Sequence, residues 1–584
     1  MARPMRRLAF AAIGFAWLCA GQTSAWATPA LDAVIADYEQ FTDLNPIEAG
    51  RSDPARAKEG WPRETLAQMA LRRAGLASLR ARLIALPADA GEDAVNQAYL
   101  RSLIDWRIEG LDFDERRFAF VAHEGFYNTP YAAARGLVLH DEAEARDWIA
   151  RLRDVPAYFT EQRANLERGI ATGWSQPARV IDVAVAVLRN QTARPDAQDG
   201  LLDPLRALPT AIPEARRNAL VAEALAIVSG TIRPAQRAML AFIDGPYRRK
   251  ARGEIGISAV PGGRAYYDFL LRYYTTTDFS AEQIHAMGLS EVKRIRAAMD
   301  DVIASTGFTG SFAQWLTFLR TDPRFYAKSR EELIEKYSAA AKRIDGILPR
   351  YFSVLPRQPF TVVPVPPDLE EGYTTARGGG GGDFSKGFAG TFVVNTSHLD
   401  QRPLYEVPAL TLHEAAPGHH THGALNNEST TLPAFRRQRD LLAFREGWAL
   451  YAERLGHEMG VYRDAYEKFG SLSTEMWRAC RLVVDTGIHV MGWRYEQARA
   501  CFTENSALAD INIDTELARY IGAPGGAVAY KVGELKIVEL RARAEKALGA
   551  QFDIRRFHDL ILAQGQLPMN LLEARIDAWI AAQR

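Results

Sequence analysis

Cysteine is almost missing from this chain. There are three in 584 residues, and one of them, Cys19, sits in the apolar N-terminal stretch. A disulfide framework is therefore excluded. Cys480 and Cys501 allow one bridge in an oxidising compartment, and they read more simply as two buried thiols. Net charge is missing as well. Lys+Arg and Asp+Glu both number 71, so no global field recruits nucleic acid or an anionic membrane. No internal repeat is visible, which argues against a solenoid scaffold. Beyond the first residues no segment reaches the length of uninterrupted apolar chain that a bilayer span needs. Histidine is scarce, with 11 in all, and that scarcity makes any clustering informative.

What is present is ordinary globular material. The chain is 47% hydrophobic and 24% charged, enough apolar content for a large core. Its start reads Met1-Ala-Arg-Pro-Met-Arg-Arg7, then an apolar run from Leu8 to Cys19, then Ala25-Trp26-Ala27. A basic head, a short apolar segment and small residues at the cleavage positions predict a signal peptide spanning 1–27. Cys19 lacks the small-residue context of a lipidated cysteine. Removal of Arg3, Arg6 and Arg7 leaves 68 basic against 71 acidic residues, a net charge of −3. The expectation is a periplasmic or secreted protein with no membrane insertion after cleavage.

Most of the chain carries apolar residues at three- and four-residue spacing, which predicts helices over Trp61–Leu86, Glu142–Arg168, Pro213–Phe242, Ser280–Ala304 and Arg330–Ile347. Ser280 and Ser329, each followed by acids, mark two helix starts. Two β-branched runs, Phe360–Val365 and Gly390–Asn395, predict short strands. Between them lie five consecutive glycines, Gly378 to Gly382, which predict a mobile loop, read either as a flap beside a cleft or as a neutral insertion. Helices resume after Asn395. The predicted fold is mainly α, with a small β-sheet or hairpin near residues 355–395. It divides into a signal peptide (1–27), an N-terminal helical lobe (28–250) and a catalytic helical region (251–584).

Four histidines fall between His413 and His422, in the string Thr411-Leu-His-Glu-Ala-Ala-Pro-Gly-His-His-Thr-His422. This is a modified His-Glu-x-x-His motif, in which two histidines on a helix bind zinc and the glutamate acts as base. His413 is the first ligand and Glu414 the base. The usual second position is Pro417, which cannot bind a metal. Pro417 and Gly418 must distort the helix, and a bulged turn would bring a later histidine back to the metal face. His419 is preferred, with His420 and His422 as rivals. A following segment supplies Glu446 and Glu453, two helical turns apart on one face. Glu446 suits the third ligand, and Glu453 suits a carboxylate that orients a ligand histidine. The dipeptide alone carries no weight, since His123-Glu124 and His457-Glu458 repeat it with no second histidine nearby.

These strings occur in order with Asn395-Thr396, Asp485-Thr-Gly-Ile-His489, Gly492-Trp493, Pro524-Gly525, Tyr530-Lys-Val-Gly533 and the stretch Phe552 to Pro568. Together they resemble the bacterial domain-of-unknown-function 885 family, a group of candidate zinc-dependent peptidases. The resemblance covers essentially the whole chain after the leader and is densest beyond residue 390. That family is similar in turn to helical zinc peptidases with two lobes and a deep cleft, such as thimet-type oligopeptidases, thermostable carboxypeptidases and dipeptidyl peptidase III. The resemblance implies one zinc ion, a short peptide substrate and a glutamate third ligand. It also favours His419, because dipeptidyl peptidase III has glycine before its second histidine. Two departures bear on specificity: His422 stands where the family often has glutamine, and Gly526 where it usually has glutamine after Pro-Gly.

Amide hydrolysis needs donors for a tetrahedral oxyanion, and Tyr530 and His489 are the candidates. Asp485 lies four residues before His489 on a helical stretch, so the two are expected to form an oriented pair. Asn395, at the end of the second strand, and His422 are candidate substrate contacts. The same metal and base would equally serve an amidase or esterase on a non-peptide substrate, and a non-catalytic exported binding protein is the third alternative.

Overall fold

The computed structural model describes residues 28–45, 60–87, 90–122, 124–366, 370, 375–380, 382, 387–437 and 439–583. The predicted signal peptide lies outside them. The protein is mainly helical, 72% helix and 4% strand, with one three-stranded sheet. Among the described residues no helix is long and apolar enough to cross a membrane.

Local chemistry explains the helix boundaries. The helix Ala281–Ser305 starts at a capping box in which Ser280 accepts from the Gln283 backbone and Gln283 returns the bond. Ser329 caps Arg330–Asp345 by accepting from Glu332 N. Two predicted helices divide at prolines. Glu142–Arg168 is two helices, Glu142–Arg153 and Val155–Ala171, because Pro156 has no N–H to continue the ladder. Pro213–Phe242 becomes Glu214–Ile227 and Arg233–Phe242, joined by a wider π turn at Val228–Ile232 just before Pro234.

The sheet holds β1 (Phe360–Pro364), β2 (Ala376–Gly380) and β3 (Gly390–Val394) in the order β1-β3-β2. β1 runs parallel to β3, and β2 runs antiparallel to it. The predicted glycine loop is thus corrected in part: Gly378 to Gly380 are strand residues, Gly378 and Gly380 pairing with Phe392 and Thr391 of β3 across an irregularity at Gly379. Pairing with a preformed neighbour overrides the poor intrinsic strand preference of glycine. Gly381 and residues 383–386 lie outside the described residues.

The largest apolar cluster draws together Trp61, Trp148, Phe159 and Tyr247 with Trp315, Phe469, Met476 and Tyr520. A second joins Leu31, Leu76, Tyr99 and Leu103 to Phe444, Trp448, Ile537 and Leu572. Helices on both sides of residue 250 therefore share cores. The helices Leu442–Glu458 and Ala529–Leu548 meet at a glycine contact. A Cβ on Gly447 would collide with the Gly533 backbone, and one on Gly533 with the Ala443 carbonyl oxygen.

Candidate metal centre

The first histidine helix, Val407–Glu414, stops where Ala415 leaves helical geometry at φ −104°, ψ −103°. The Ala416–Pro417 peptide is cis, and a second helix begins at His419 and runs to Glu428. The break is a wide turn. Gly418 N donates to Leu412 O at 3.0 Å, and His420 N donates to Ala415 O at 3.1 Å. A side chain at Gly418 would strike the carbonyl oxygens of His413 and Leu412, so only glycine closes this turn. Trp448 Nε1 donates to Pro417 O at 2.8 Å and fixes the turn to the Glu446 helix. A Gly418→Ala variant is expected to shift His419 and weaken zinc binding about 10- to 100-fold, as loss of a ligand's support does. Chelator competition measures this, and unchanged affinity would contradict the turn's role.

The turn returns His419 to the face of His413. Their rings lie 4.7 Å apart at 83°. Glu446 Oε2 is 3.4 Å from His413 Nε2 and 3.5 Å from His419 Nε2. One ligand atom from each of the three lies within 4.8 Å of the other two. A tetrahedral zinc with bonds near 2.0 Å spaces its donors about 3.3 Å apart, so the donor set fits that ion. Arg445 Nη1 pairs with Glu446 Oε1 at 2.7 Å, which leaves Oε2 for the shared point.

Two turns further along the same helix, Glu453 completes the arrangement. Its Oε1 accepts from His413 Nδ1 at 2.7 Å, which points Nε2 at Glu446. Thr474 Oγ1 donates to Glu453 Oε2 at 2.6 Å, and the Arg478 guanidinium lies 3.6 Å from Oε1. His413 is thus held between two carboxylates seven residues apart. Glu414 turns to the other side. Its Oε2 accepts from the N–H of Gly378 in β2 at 2.6 Å, so the glycine strand borders the centre.

The electrostatics follow from burial against pairing. Burial disfavours a charge on His413, but hydrogen bonds to Glu446 and Glu453 outweigh it and lift the pKa to about 9. Burial raises Glu446, while Arg445 and then His419 hold it well below the usual carboxylate range. A cation needs a neutral imidazole. His413 is protonated below about pH 9, so zinc uptake at neutral pH should expel about one proton, with affinity rising about tenfold per pH unit towards that value. Calorimetry in buffers of different ionisation enthalpy reads this directly, and a pH-independent affinity would contradict it.

Neither rival histidine belongs to the convergent group. His420 Nε2 lies 3.0 Å from Gln358 O and its ring lies against Phe360, away from the ligands. His422 is buried against Phe444, and burial pushes its pKa down to about 3. It is 3% exposed, and its Nε2 has no hydrogen-bond partner among the described residues. Asn395, expected to contact substrate, is corrected. It is fully buried, its Nδ2 donates to Glu370 O at 2.9 Å, and its Oδ1 accepts from Ser397 N at 3.0 Å. It locks the end of β3.

His489 does not serve the oxyanion. Its Nδ1 accepts from Ile257 N–H and its Nε2 donates to Tyr520 O, each at 3.0 Å, with the ring fully buried. It ends the helix Ala465–His489, about 22 Å along that helix from Thr474, the residue that touches Glu453, at 1.5 Å per residue. The expected Asp485–His489 pair is absent too. Asp485 Oδ1 accepts from Tyr267 OH at 2.5 Å and from Gly525 N at 3.0 Å. It anchors the turn before Tyr530 and touches no ligand. Tyr530 feels the charge of Glu446. Burial and the charge of Glu446 raise its pKa, so it stays a protonated donor. The sequence reading missed Gly378, Thr474 and Arg478. None lies in a local motif, and each acts through a contact distant along the chain.

Fold and donor set together define a large helical protein with a buried cluster of two histidines and one carboxylate. The chain belongs to the DUF885 family, bacterial proteins of unknown function, whose sequence pattern matches residues 46–576. The solved structure of a candidate lipoprotein from Colwellia psychrerythraea is similar at TM-score 0.87 and 26% identity, covering 95% of this chain and 99% of its own. A candidate lipoprotein of unknown function from Shewanella oneidensis is similar at TM-score 0.72 and 18% identity, covering 93% and 98% respectively; at that identity the likeness is one of fold. No curated protein matches the chain.

Proposed function

We propose that this protein is an exported zinc-dependent peptidase acting on short peptides. The observation that carries the reading is the convergence of His413, His419 and Glu446 within 4.8 Å, with His413 oriented by Glu453 and Glu414 free of the ligand set. Two nitrogens and one carboxylate oxygen suit zinc. When bound, the ion supplies Lewis-acid polarisation and makes water acidic enough to attack at neutral pH. Glu414 takes the proton of the attacking water and returns it to the leaving amine. Tyr530 donates to the oxygen on which negative charge develops. Glu453, held by Thr474, keeps His413 in the tautomer that presents Nε2. Export is supported by the leader-like N-terminus and by the Colwellia psychrerythraea relative, described as a candidate lipoprotein.

The test is digestion of a mixed peptide library by zinc-loaded protein, with a chelated control, read by mass spectrometry. Chelator-sensitive cleavage is expected. An intact library beside turnover of simple amides or esters would move the assignment to a non-peptide hydrolase. Zinc bound without turnover of any of these would leave a binding protein.

A further inference from the structure

Beyond the leader-like stretch the chain holds two cysteines, and the fold puts them in contact. Cys480 lies in the helix Ala465–His489 and Cys501 in the helix Tyr495–Asn505, consecutive elements joined by residues 490–494. The turn between them is tight. Trp493 N donates to Gly487 O at 2.9 Å, and a Cβ on Gly487 would strike the Trp493 ring. The two helices fold back on one another, and the sulfur atoms of Cys480 and Cys501 are 3.0 Å apart. A disulfide holds its sulfurs at about 2.05 Å. A shift of about 1 Å therefore closes the bond, which a small rotation of both side chains supplies.

Neither sulfur has a competing chemistry. Cys480 Sγ donates to Cys501 O at 3.2 Å, and Cys501 Sγ donates to Cys480 Sγ. Among the described residues no histidine or carboxylate bonds to either one. A nucleophilic thiol needs a neighbouring base, and a structural zinc needs four ligands. The pair has neither, and it lies outside the convergent His413, His419 and Glu446 group. Access is asymmetric. Cys480 is fully buried in the largest apolar cluster, whereas Cys501 packs against that cluster half-buried. Burial also pushes the Cys480 thiol up, so an oxidant meets Cys501 first.

We propose that Cys480 and Cys501 close a disulfide by exchange with a disulfide oxidant, and that this bond staples the two helices. The proposal stands apart from the peptidase reading. The Cys501 thiolate attacks one sulfur of the oxidant, forming a mixed disulfide and releasing one thiol. The Cys480 sulfur then attacks Cys501 Sγ and expels the second thiol. The two cysteine protons end on the released thiols, so two cysteines are oxidised and one oxidant disulfide is reduced. Contact between the sulfurs makes the second step intramolecular and favours it over a lasting mixed disulfide. Export places the chain where such oxidants persist. The stapled helix is also the one that serves the centre, since Thr474 and Arg478 on it hold Glu453.

The test uses the full chain, reduced and freed of reductant, then incubated folded with oxidised glutathione. Acid stops the exchange, remaining thiols are alkylated in denaturant, and trypsin digestion without reductant is read by mass spectrometry. Cleavage at the flanking arginines puts Cys480 in residues 479–481 and Cys501 in residues 500–519. These two peptides are expected to appear linked, two hydrogens lighter than the reduced pair, in a chain that stays monomeric on a non-reducing gel. Cys480→Ala should instead keep glutathione on Cys501. The closed chain should unfold about 2 °C higher than the same chain after reduction, the size set by a loop of about 20 residues in a chain this long. Cys501→Ala should show no such difference. Both thiols alkylated, glutathione left on Cys501 of the native chain, or a link found only in dimers would overturn the bridge. A linked chain whose midpoint reduction does not lower would overturn the staple.

Discussion

On the proposed mechanism, glutamine at position 414 leaves the cation in place and lowers turnover steeply. Glu414 directly follows the first ligand but is not one of the three donors that converge. Its side chain contact is with Gly378 N–H, and a glutamine carbonyl oxygen can still accept that bond. What glutamine cannot do is take a proton. A positioned general base contributes about 10²- to 10⁴-fold, so kcat of Glu414→Gln should fall by that range while zinc content stays at one per chain. The measurement is steady-state turnover of the best library peptide beside metal analysis of the same sample. Normal turnover with zinc bound would remove Glu414 from the role of base.

Alanine at position 446 will cost the metal itself. Glu446 is the only carboxylate of the three converging residues, 4% exposed, and both histidine Nε2 atoms face its Oε2. Loss of an outer partner such as Glu453 typically costs 10- to 100-fold in affinity. Removal of a ligand should exceed that, so Glu446→Ala is expected to lose more than about 100-fold while Glu453→Gln stays within the smaller range. Chelator competition ranks the two. Circular dichroism checks folding, because Arg445 loses its 2.7 Å partner in Glu446→Ala and keeps only Asp440. Equal losses in both variants would mean that Glu446 supports the centre rather than binds the ion.

The three converging side chains were in part legible in the sequence, because much of their logic is local. His413 and Glu414 are adjacent, and Glu446 and Glu453 repeat at a helical interval that survives in the fold. The choice among His419, His420 and His422 was not local. It depends on how far the Pro417–Gly418 break unwinds and on Gln358, which takes up His420 from another element. The sequence misled at Asp485 and His489. Helical spacing puts them on one face, but each finds partners more than 200 residues away, in Tyr267 and Ile257. The glycine run misled in a similar way, since β3 supplies the hydrogen bonds that isolated glycines cannot organise. Helix positions were well marked by apolar spacing, and the two splits fell at prolines whose effect a periodic pattern does not register.

The most direct measurement is anomalous diffraction at the zinc edge from crystals of the zinc-loaded protein. One peak is expected, bonded to Nε2 of His413, Nε2 of His419 and Oε2 of Glu446. A peak held instead by His420, His422 or another residue set, or no peak at this position with zinc present in the crystal, would contradict the centre on which the peptidase reading stands.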